Sequence, residues 1–291
     1  MPQSTVLRIG GVPEHFNLPW HLAISQGKFQ AAGITVSWED YPSGTGAMMQ
    51  ALQQDTLDIA IALTEGTVAS IINQQVGKIL QFYVTSPLIW GIHVATQSTL
   101  HTTEALENKR YAISRIGSGS HLMAFVYAKQ KGWHPDALTF VTVGTIDGAR
   151  KALAQDEADV FMWEKFMTKP LVDRGEFRRV GECPTPWPSF VMVASHKALA
   201  EKAEAIGQLL PVINQACQQF MADESAPDQV AQRYQLQEQD AKAWFAQTSW
   251  ATNNEVSKDA LRLVIATLYE LGTISTQPEP ALLCSKYCSL K

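Results

Sequence analysis

The stretch Tyr111-Ala112-Ile113-Ser114-Arg115-Ile116-Gly117-Ser118-Gly119-Ser120-His121 starts apolar, passes through a Gly/Ser turn and enters the apolar-periodic segment 122–131. Its order reads strand, loop, helix N-terminus. The first N–H groups of a helix lack partners within it and the dipole is positive there, so such a turn offers donors to an anion or polar group. The hydroxyls of Ser114, Ser118 and Ser120 add to them. The same serines equally suit a helix cap and a tight turn with no ligand at all. The stretch decides the fold class because the pattern recurs along the chain.

Upstream, the apolar segment 6–10 ends in Gly11-Val12-Pro13-Glu14-His15-Phe16-Asn17. Pro19 then opens a helix through Trp20, Leu22, Ala23 and Ile24 towards Phe29, and 34–38 returns as a strand. Strand, helix and strand make a βαβ unit and hence a parallel sheet. Ser43-Gly44-Thr45-Gly46 opens the next helix, 57–62 is a third strand, and Thr64-Glu65-Gly66-Thr67 leads into the helix 68–73. In an open parallel sheet such loops lie at the carboxyl edge of the strands, where ligands bind. Between 79 and 95 two extended runs follow one another without a helix, the pattern of a crossover between lobes.

Downstream of the opening stretch come strand 138–143, helix 146–154 and strand 158–162, followed by Trp163-Glu164 and a short strand 177–180. Pro184, Pro186 and Pro188 stiffen a loop around Trp187, and 190–194 is a second extended return. From His196 onward Leu199, Ile206, Leu209, Leu210, Ile213 and Phe220 keep helical spacing, with Pro211 predicting a kink or break. Shorter helices are expected at 227–234, 240–245 and 256–271, with Gly272 as the stop, and an irregular tail from Gln277.

Length agrees with two lobes: 291 residues is about twice the commonest domain size. Charged residues are 18% and the formal charge is -5, with no basic stripe, which argues against nucleic acid and against an anionic membrane surface. No stretch approaches the roughly 20 apolar residues that span a membrane. Met1-Pro2-Gln3-Ser4-Thr5 carries no charged leader, so a cytoplasmic location is expected. Cys183, Cys217, Cys284 and Cys288 read as reduced, incidental thiols: the last pair has no His nearby for zinc, and a spacing of four on a helix is awkward for a disulfide. No Ser/His/Asp order, metal spacing or Walker loop stands out, so no catalytic residue, metal or cofactor is expected.

The order of elements resembles the type 2 periplasmic-binding-protein fold. The closer likeness is to the branch of nitrate-, sulfonate- and taurine-binding proteins and thiamine-pyrimidine synthases. The resemblance rests on Ser43-Gly44-Thr45-Gly46, Leu57-Asp58-Ile59-Ala60-Ile61, Ser114 with the Gly117-to-Ser120 turn, and the run from Val230-Ala231 through Leu236 to Asp240-Ala241-Lys242-Ala243-Trp244-Phe245. Val12-Pro13-Glu14-His15-Phe16 and Leu63-Thr64-Glu65-Gly66 also look like an uncharacterised subgroup without signal peptides, known from yeasts and some bacteria. The resemblance implies an α/β fold of two lobes, each a mostly parallel sheet flanked by helices. Residues 1–88 and 194–291 would form lobe 1, with the C-terminal helices packed on it, and 89–193 lobe 2. The ligand would lie in the cleft between them, closed by hinge motion.

The resemblance places Glu14, His15, Phe16, Ser43, Gly44, Thr45, Thr64 and Glu65 on the first face. It places Ser114, Arg115, Gly117, Ser118, Gly119, Ser120, His121, Asp147, Trp163 and Glu164 on the second, with Trp90 near the hinge. Each has a plainer reading. Glu14, Glu65 and Glu164 suit helix starts, Trp90, Trp163 and Trp187 suit cores, His15 and His93 suit buried hydrogen bonds, and Arg115 suits a surface ion pair. Carboxylates outnumber cations among these residues, which fits poorly with a bare nitrate or sulfate. A small organic ligand is expected, with an amine or heteroaromatic N–H facing Glu14 or Glu65 and an acceptor or anionic group facing the Gly117-to-Ser120 turn. The role read from this is a cytoplasmic sensor or carrier with no identified protein partner. The alternative is an enzyme of the same fold, of the thiamine-pyrimidine-synthase or menaquinone-precursor type, although the cysteine cluster of the former is missing.

Overall fold

The computed structural model describes residues 5–291, apart from the side chain of Pro135. The opening residues 1–4, on which the reading of a missing leader falls, lie outside them. The chain divides into two compact units, Met1–Pro87 with Trp187–Lys291, and Leu88–Pro186. The first begins with β1 (Thr5–Gly11), α1 (Leu18–Ser25), α2 (Lys28–Ala31), β2 (Ile34–Asp40), α3 (Thr45–Gln53), β3 (Ile59–Leu63), α4 (Thr64–Gln74) and β4 (Lys78–Val84). The second holds β5 (Ile89–Ala95), β6 (Arg110–Ile113), α5 (Gly119–Lys131), β7 (Thr139–Thr142), α6 (Ile146–Ala154), β8 (Val160–Glu164), α7 (Lys169–Asp173) and β9 (Phe177–Pro184). The chain then completes the first unit with β10 (Phe190–Ala194), α8 (His196–Glu201), α9 (Ala203–Ala222), α10 (Ala226–Tyr234), α11 (Glu238–Gln247), β11 (Glu255–Val256), α12 (Lys258–Glu270) and β12 (Ser289–Leu290).

Each unit is built on a five-stranded mixed sheet, ordered β2-β1-β3-β10-β4 in the first and β7-β6-β8-β5-β9 in the second. β1 pairs in parallel with β2 and β3, as β6 does with β7 and β8. The strand that follows each crossover, β10 or β5, inserts antiparallel to both its neighbours. Both sheets bury their central strands: Leu7, Ile9, Ile59, Ile61, Met192 and Val193 in the first, Ile92, Val94, Val160 and Phe161 in the second. The C-terminal helices belong to the first unit, α9 packing on α1 and α12 on α4.

The same polar staple locks the amino edge of both sheets. The Arg8 backbone N–H and Nε donate to Asp58 Oδ2 at 2.8 and 3.2 Å, and Nη2 donates to Oδ1 at 2.7 Å. The Arg110 backbone N–H and Nε donate to Asp159 Oδ2 at 2.8 and 3.0 Å, and Nη2 to Oδ1 at 2.8 Å. A planar guanidinium and a carboxylate match in this forked geometry, which fixes β1 against β3 in the first unit and β6 against β8 in the second. Lys202 Nζ joins only the first staple, 2.8 Å from Asp58 Oδ2.

Four expectations are corrected. The helix expected to run from Pro19 to Phe29 is cut at Gly27, whose φ of 67° is open to glycine without strain, giving α1 and α2. Pro211 lies inside the continuous α9; its missing donor costs one bond, and the buried face of Ile206, Leu209, Leu210 and Ile213 outweighs that loss. The chain returns at Trp187 rather than 194, because β10 completes the first sheet between β3 and β4. The tail carries a 3-10 turn at Pro280–Leu283 and the strand β12 paired in parallel with β11.

Candidate functional site

In the first unit the loops after β1, β2 and β3 leave one edge of one sheet, because those strands are parallel neighbours. Glu14, His15 and Phe16 follow β1. Ser43, Gly44 and Thr45 follow β2, and Thr64 and Glu65 follow β3. Gly44 has φ 74° and ψ -160°, a conformation essentially reserved for glycine, which lets α3 start at Thr45. Thr45 Oγ1 accepts from the Leu63 N–H at 3.1 Å, tying the second loop to the third.

Glu65 is 1% exposed. Trp187 Nε1 donates to its Oε2 at 2.9 Å, while its Oε1 has no hydrogen-bond partner. Burial pushes its pKa up to about 7 against the weaker downward pull of its own backbone amide and of Trp187. Glu14, partly open, is likewise raised to about 7 by burial. Thr64 is committed to the returning chain: its Oγ1 donates to Pro188 O at 2.5 Å and its N–H to Ser189 O at 3.0 Å.

His15 stacks on Trp244 with ring centroids 4.2 Å apart, and neither of its nitrogens nor Trp244 Nε1 has a hydrogen-bond partner. Burial lowers the His15 pKa to about 3, so the ring is neutral. Phe16 is a core residue, 4.9 Å from Phe190 and edge-on to Trp244 at 5.2 Å. Ser43 is exposed.

In the second unit most of the predicted residues again gather at a carboxyl edge, in the turns after β6 and β7 and at the end of β8, but their polar atoms are largely satisfied locally. Ser118 caps α5, its Oγ accepting from His121 N–H at 3.4 Å, and Ser120 Oγ accepts from Ser114 N–H at 3.0 Å. Ser118 and Ser120 hydroxyls lie 3.1 Å apart. Gly117, with φ 76°, sends its N–H to His121 Nδ1 at 3.1 Å. His121 packs edge-on against Phe125 and Phe140, and burial lowers its pKa. Gly119 opens α5, while Arg115 and Ile116 project from the turn as exposed residues.

Glu164 Oε2 accepts the N–H groups of Phe166 and Met167 at 2.8 and 2.6 Å, so it caps the following turn. Asp147 is an exposed partner of Arg150 at 2.8 Å. Trp163 stacks on Phe161 at 5.4 Å and packs against the apolar cluster of the unit. Trp90 is 4% exposed, edge-on to Trp163 at 6.3 Å, with an unpartnered Nε1. His93 is structural, held between Phe161 O at 3.2 Å and Thr168 Oγ1 at 3.0 Å.

The sequence reading quoted Trp244 only as part of the family-like run and Trp187 only as a core residue, and assigned neither to the site. Nothing local marks their pairing with His15 and Glu65, since each partner lies more than a hundred residues away. A cavity of about 290 Å³ opens at the other, amino edge of the second sheet, lined by Ala95, Lys109, Asp156 and Asp159 among others, and holds none of the predicted residues. Among the described residues no group of three or more His, Cys, Asp or Glu converges on a metal position, and no helix is long and apolar enough to cross a membrane.

Two sheets of this mixed order, each with its inserted strand following a crossover and its polar loops at one carboxyl edge, define the type 2 periplasmic-binding-protein fold, and the chain carries it. Residues 90–183 match the model of the family described as Ca3427-like PBP. The Candida albicans CA3427 gene product, which has the generic periplasmic-binding-protein fold, is 26% identical with a TM-score of 0.88 over 97% of both chains. The alkanesulfonate-binding protein SsuA from Xanthomonas axonopodis pv. citri, bound to MOPS, is 17% identical with a TM-score of 0.77 over 100% of both chains. PhnD1 from Prochlorococcus marinus, in complex with methylphosphonate, is 12% identical with a TM-score of 0.63 over 94% of this chain and 100% of that one. No curated protein matches the sequence.

Proposed function

We propose that the protein captures a small organic ligand between its two units, as a sensor or carrier. The observation that carries this reading is the buried Glu65 carboxyl, one oxygen bonded to Trp187 and the other without a partner, at the edge where an α/β sheet takes its ligands. A desolvated carboxyl gains most from a cation or an N–H donor, which would pair with the free oxygen and restore its charge. Glu14 adds a second such group at the same edge.

The sulfonate and phosphonate ligands of the structural neighbours have anionic heads. Two acids at the first-unit edge oppose such a head there. The ligand is therefore oriented with an amine or heteroaromatic N–H towards Glu65 and Glu14, and an acceptor or anionic end towards the α5 N-terminus at Gly119 and Ser120. Capture and release need only closure of the two units, with residues 84–88 and 185–190 as the hinge.

Native mass spectrometry of freshly purified protein tests the reading. A retained small molecule carrying a basic or N–H-bearing group, lost in Glu65→Gln, is the expected result. Cell fractionation of the native product tests a cytoplasmic location. A ligand whose affinity is unchanged in both Glu65→Gln and Ser118→Ala overturns the placement.

A further inference from the structure

The C-terminal tail runs along one edge of the first sheet. β4 is the outer strand of the first sheet, and an open edge strand is a template for unwanted pairing. Ile79 of β4 forms a parallel bridge with Cys284 and accepts the Ser285 N–H at 2.8 Å. Further along, Tyr83 O accepts the Ala251 N–H at 2.9 Å. Lys78 Nζ donates to Leu282 O, holding the same segment from the side.

Residues 284–288 are not helical. Cys284 ends the preceding 3-10 turn in extended conformation, and Cys288 N–H donates to Ser285 O at 3.2 Å, which folds the chain back on itself. The fold-back brings the two thiols together. Both cysteines meet β4 at the same residue, Cys284 bridging Ile79 while Cys288 Sγ lies 3.1 Å from Ile79 O and Leu80 O, and their interaction raises the Cys284 pKa and lowers that of Cys288. Cys284 and Cys288 are half-exposed, whereas Cys183 and Cys217 are buried. The four thiols are free, as expected, but the helical spacing that made a disulfide awkward does not apply to Cys284 and Cys288, because Ser285–Cys288 is a turn.

We propose that Cys284 and Cys288 are a modification site, a dithiol that a peroxide converts into an intrachain disulfide clasping the tail onto β4. One thiolate attacks the peroxide O–O bond; an S–O bond forms, the O–O bond breaks, and the leaving hydroxide takes up the thiol proton as water. The second sulfur displaces the hydroxyl from the sulfenyl sulfur, forming the S–S bond and releasing the second water. Two thiols are oxidised and one peroxide is reduced. The bond would fix the turn whose Ser285 and Ile79 contacts hold the tail on the edge strand.

The sequence offers a direct readout, because Lys286 lies between the two cysteines. Full-length protein is treated with hydrogen peroxide, alkylated and digested with trypsin without reduction. The expected product is the peptide ending at Lys286 joined to the peptide Tyr287-Cys288-Ser289-Leu290-Lys291, the two separating on reduction. In Cys284→Ser the joined product disappears and Cys288 carries a sulfenic or sulfinic acid instead. Recovery of both peptides separately, with each thiol alkylated or singly oxidised, overturns the proposal. Hydrogen exchange at the Ser285 and Cys288 amides is expected to slow by about tenfold on oxidation; exchange as fast as in the reduced protein overturns the clasp.

Discussion

The two units share strand order, an inserted antiparallel strand and an Arg–Asp staple, yet their carboxyl edges differ in how their polar atoms are satisfied. In the second, the hydroxyls of Ser118 and Ser120 accept backbone N–H bonds, Glu164 caps a turn and Asp147 pairs with Arg150 in solvent. In the first, Glu65 Oε1 and both nitrogens of His15 are buried with no partner, and Glu14 is raised by burial alone. Equal polarity in sequence therefore conceals unequal need. The edge with unmet groups gains most from a ligand, and the edge with met groups is closer to a finished scaffold.

Five measurements break or sharpen that contrast. The largest effect is expected where the shared staple is most buried. Asp58 has 3% of its side chain exposed and serves both Arg8 and Lys202, whereas Asp159 has 19%. Asp58→Asn is expected to cost about 3 kcal/mol in chemical denaturation, and Asp159→Asn clearly less; equal losses would mean that the staples are equivalent. Burial raises the Asp58 pKa, but its bonds from Arg8 and Lys202 more than offset that and hold it below the usual value. The stability it supplies is thus present at neutral pH and is lost as pH falls through its depressed pKa.

Glu65 has the opposite sign. Its folded value of about 7 exceeds the ordinary 4.5, so the folded chain binds the proton more tightly. Stability is therefore highest below about 4.5 and declines as pH rises towards 7, by about 3 kcal/mol if the whole shift is expressed. Glu65→Gln should remove that slope, leaving a smaller one from the more open Glu14. A pH–stability profile unaltered by Glu65→Gln would show that the first edge is satisfied after all. Trp187→Phe keeps an aromatic side chain, smaller by the pyrrole ring, and deletes the donor; because the Trp187 N–H pulls the Glu65 pKa down, carbon-detected titration should show it rising further.

On the second edge, Ser118→Ala removes the α5 cap and should cost about 1 kcal/mol. Asp147→Ala, at an exposed i,i+3 pair, should leave the thermal midpoint unchanged. A large loss at Asp147 would overturn the description of this edge as locally satisfied.

The particulars show what could be read early. The Ser114-to-His121 stretch gave strand, turn and capped helix correctly, because propensity, capping and glycine placement act within a few residues. The gathering of Glu14, Thr45 and Glu65 on one edge and of Ser118 and Glu164 on another followed from βα alternation. The break at Gly27 and the unbroken α9 through Pro211 were misread, since there the local signal competes with packing against the rest of the unit. Trp244 stacking on His15 and Trp187 bonding Glu65 carried no local signature.

Sequence alone settled the alternation of strands and helices, the loops that meet a sheet edge and the residues that can start a helix, because each depends on neighbours in the chain. The tertiary structure decided that Arg8 finds Asp58, that β10 rejoins the first sheet, that Cys284 and Cys288 both meet the edge strand β4 at Ile79, and that Glu65 keeps one oxygen unpaired where Glu164 does not. Those outcomes depend on which distant groups arrive at the same place, and on how much water they leave behind.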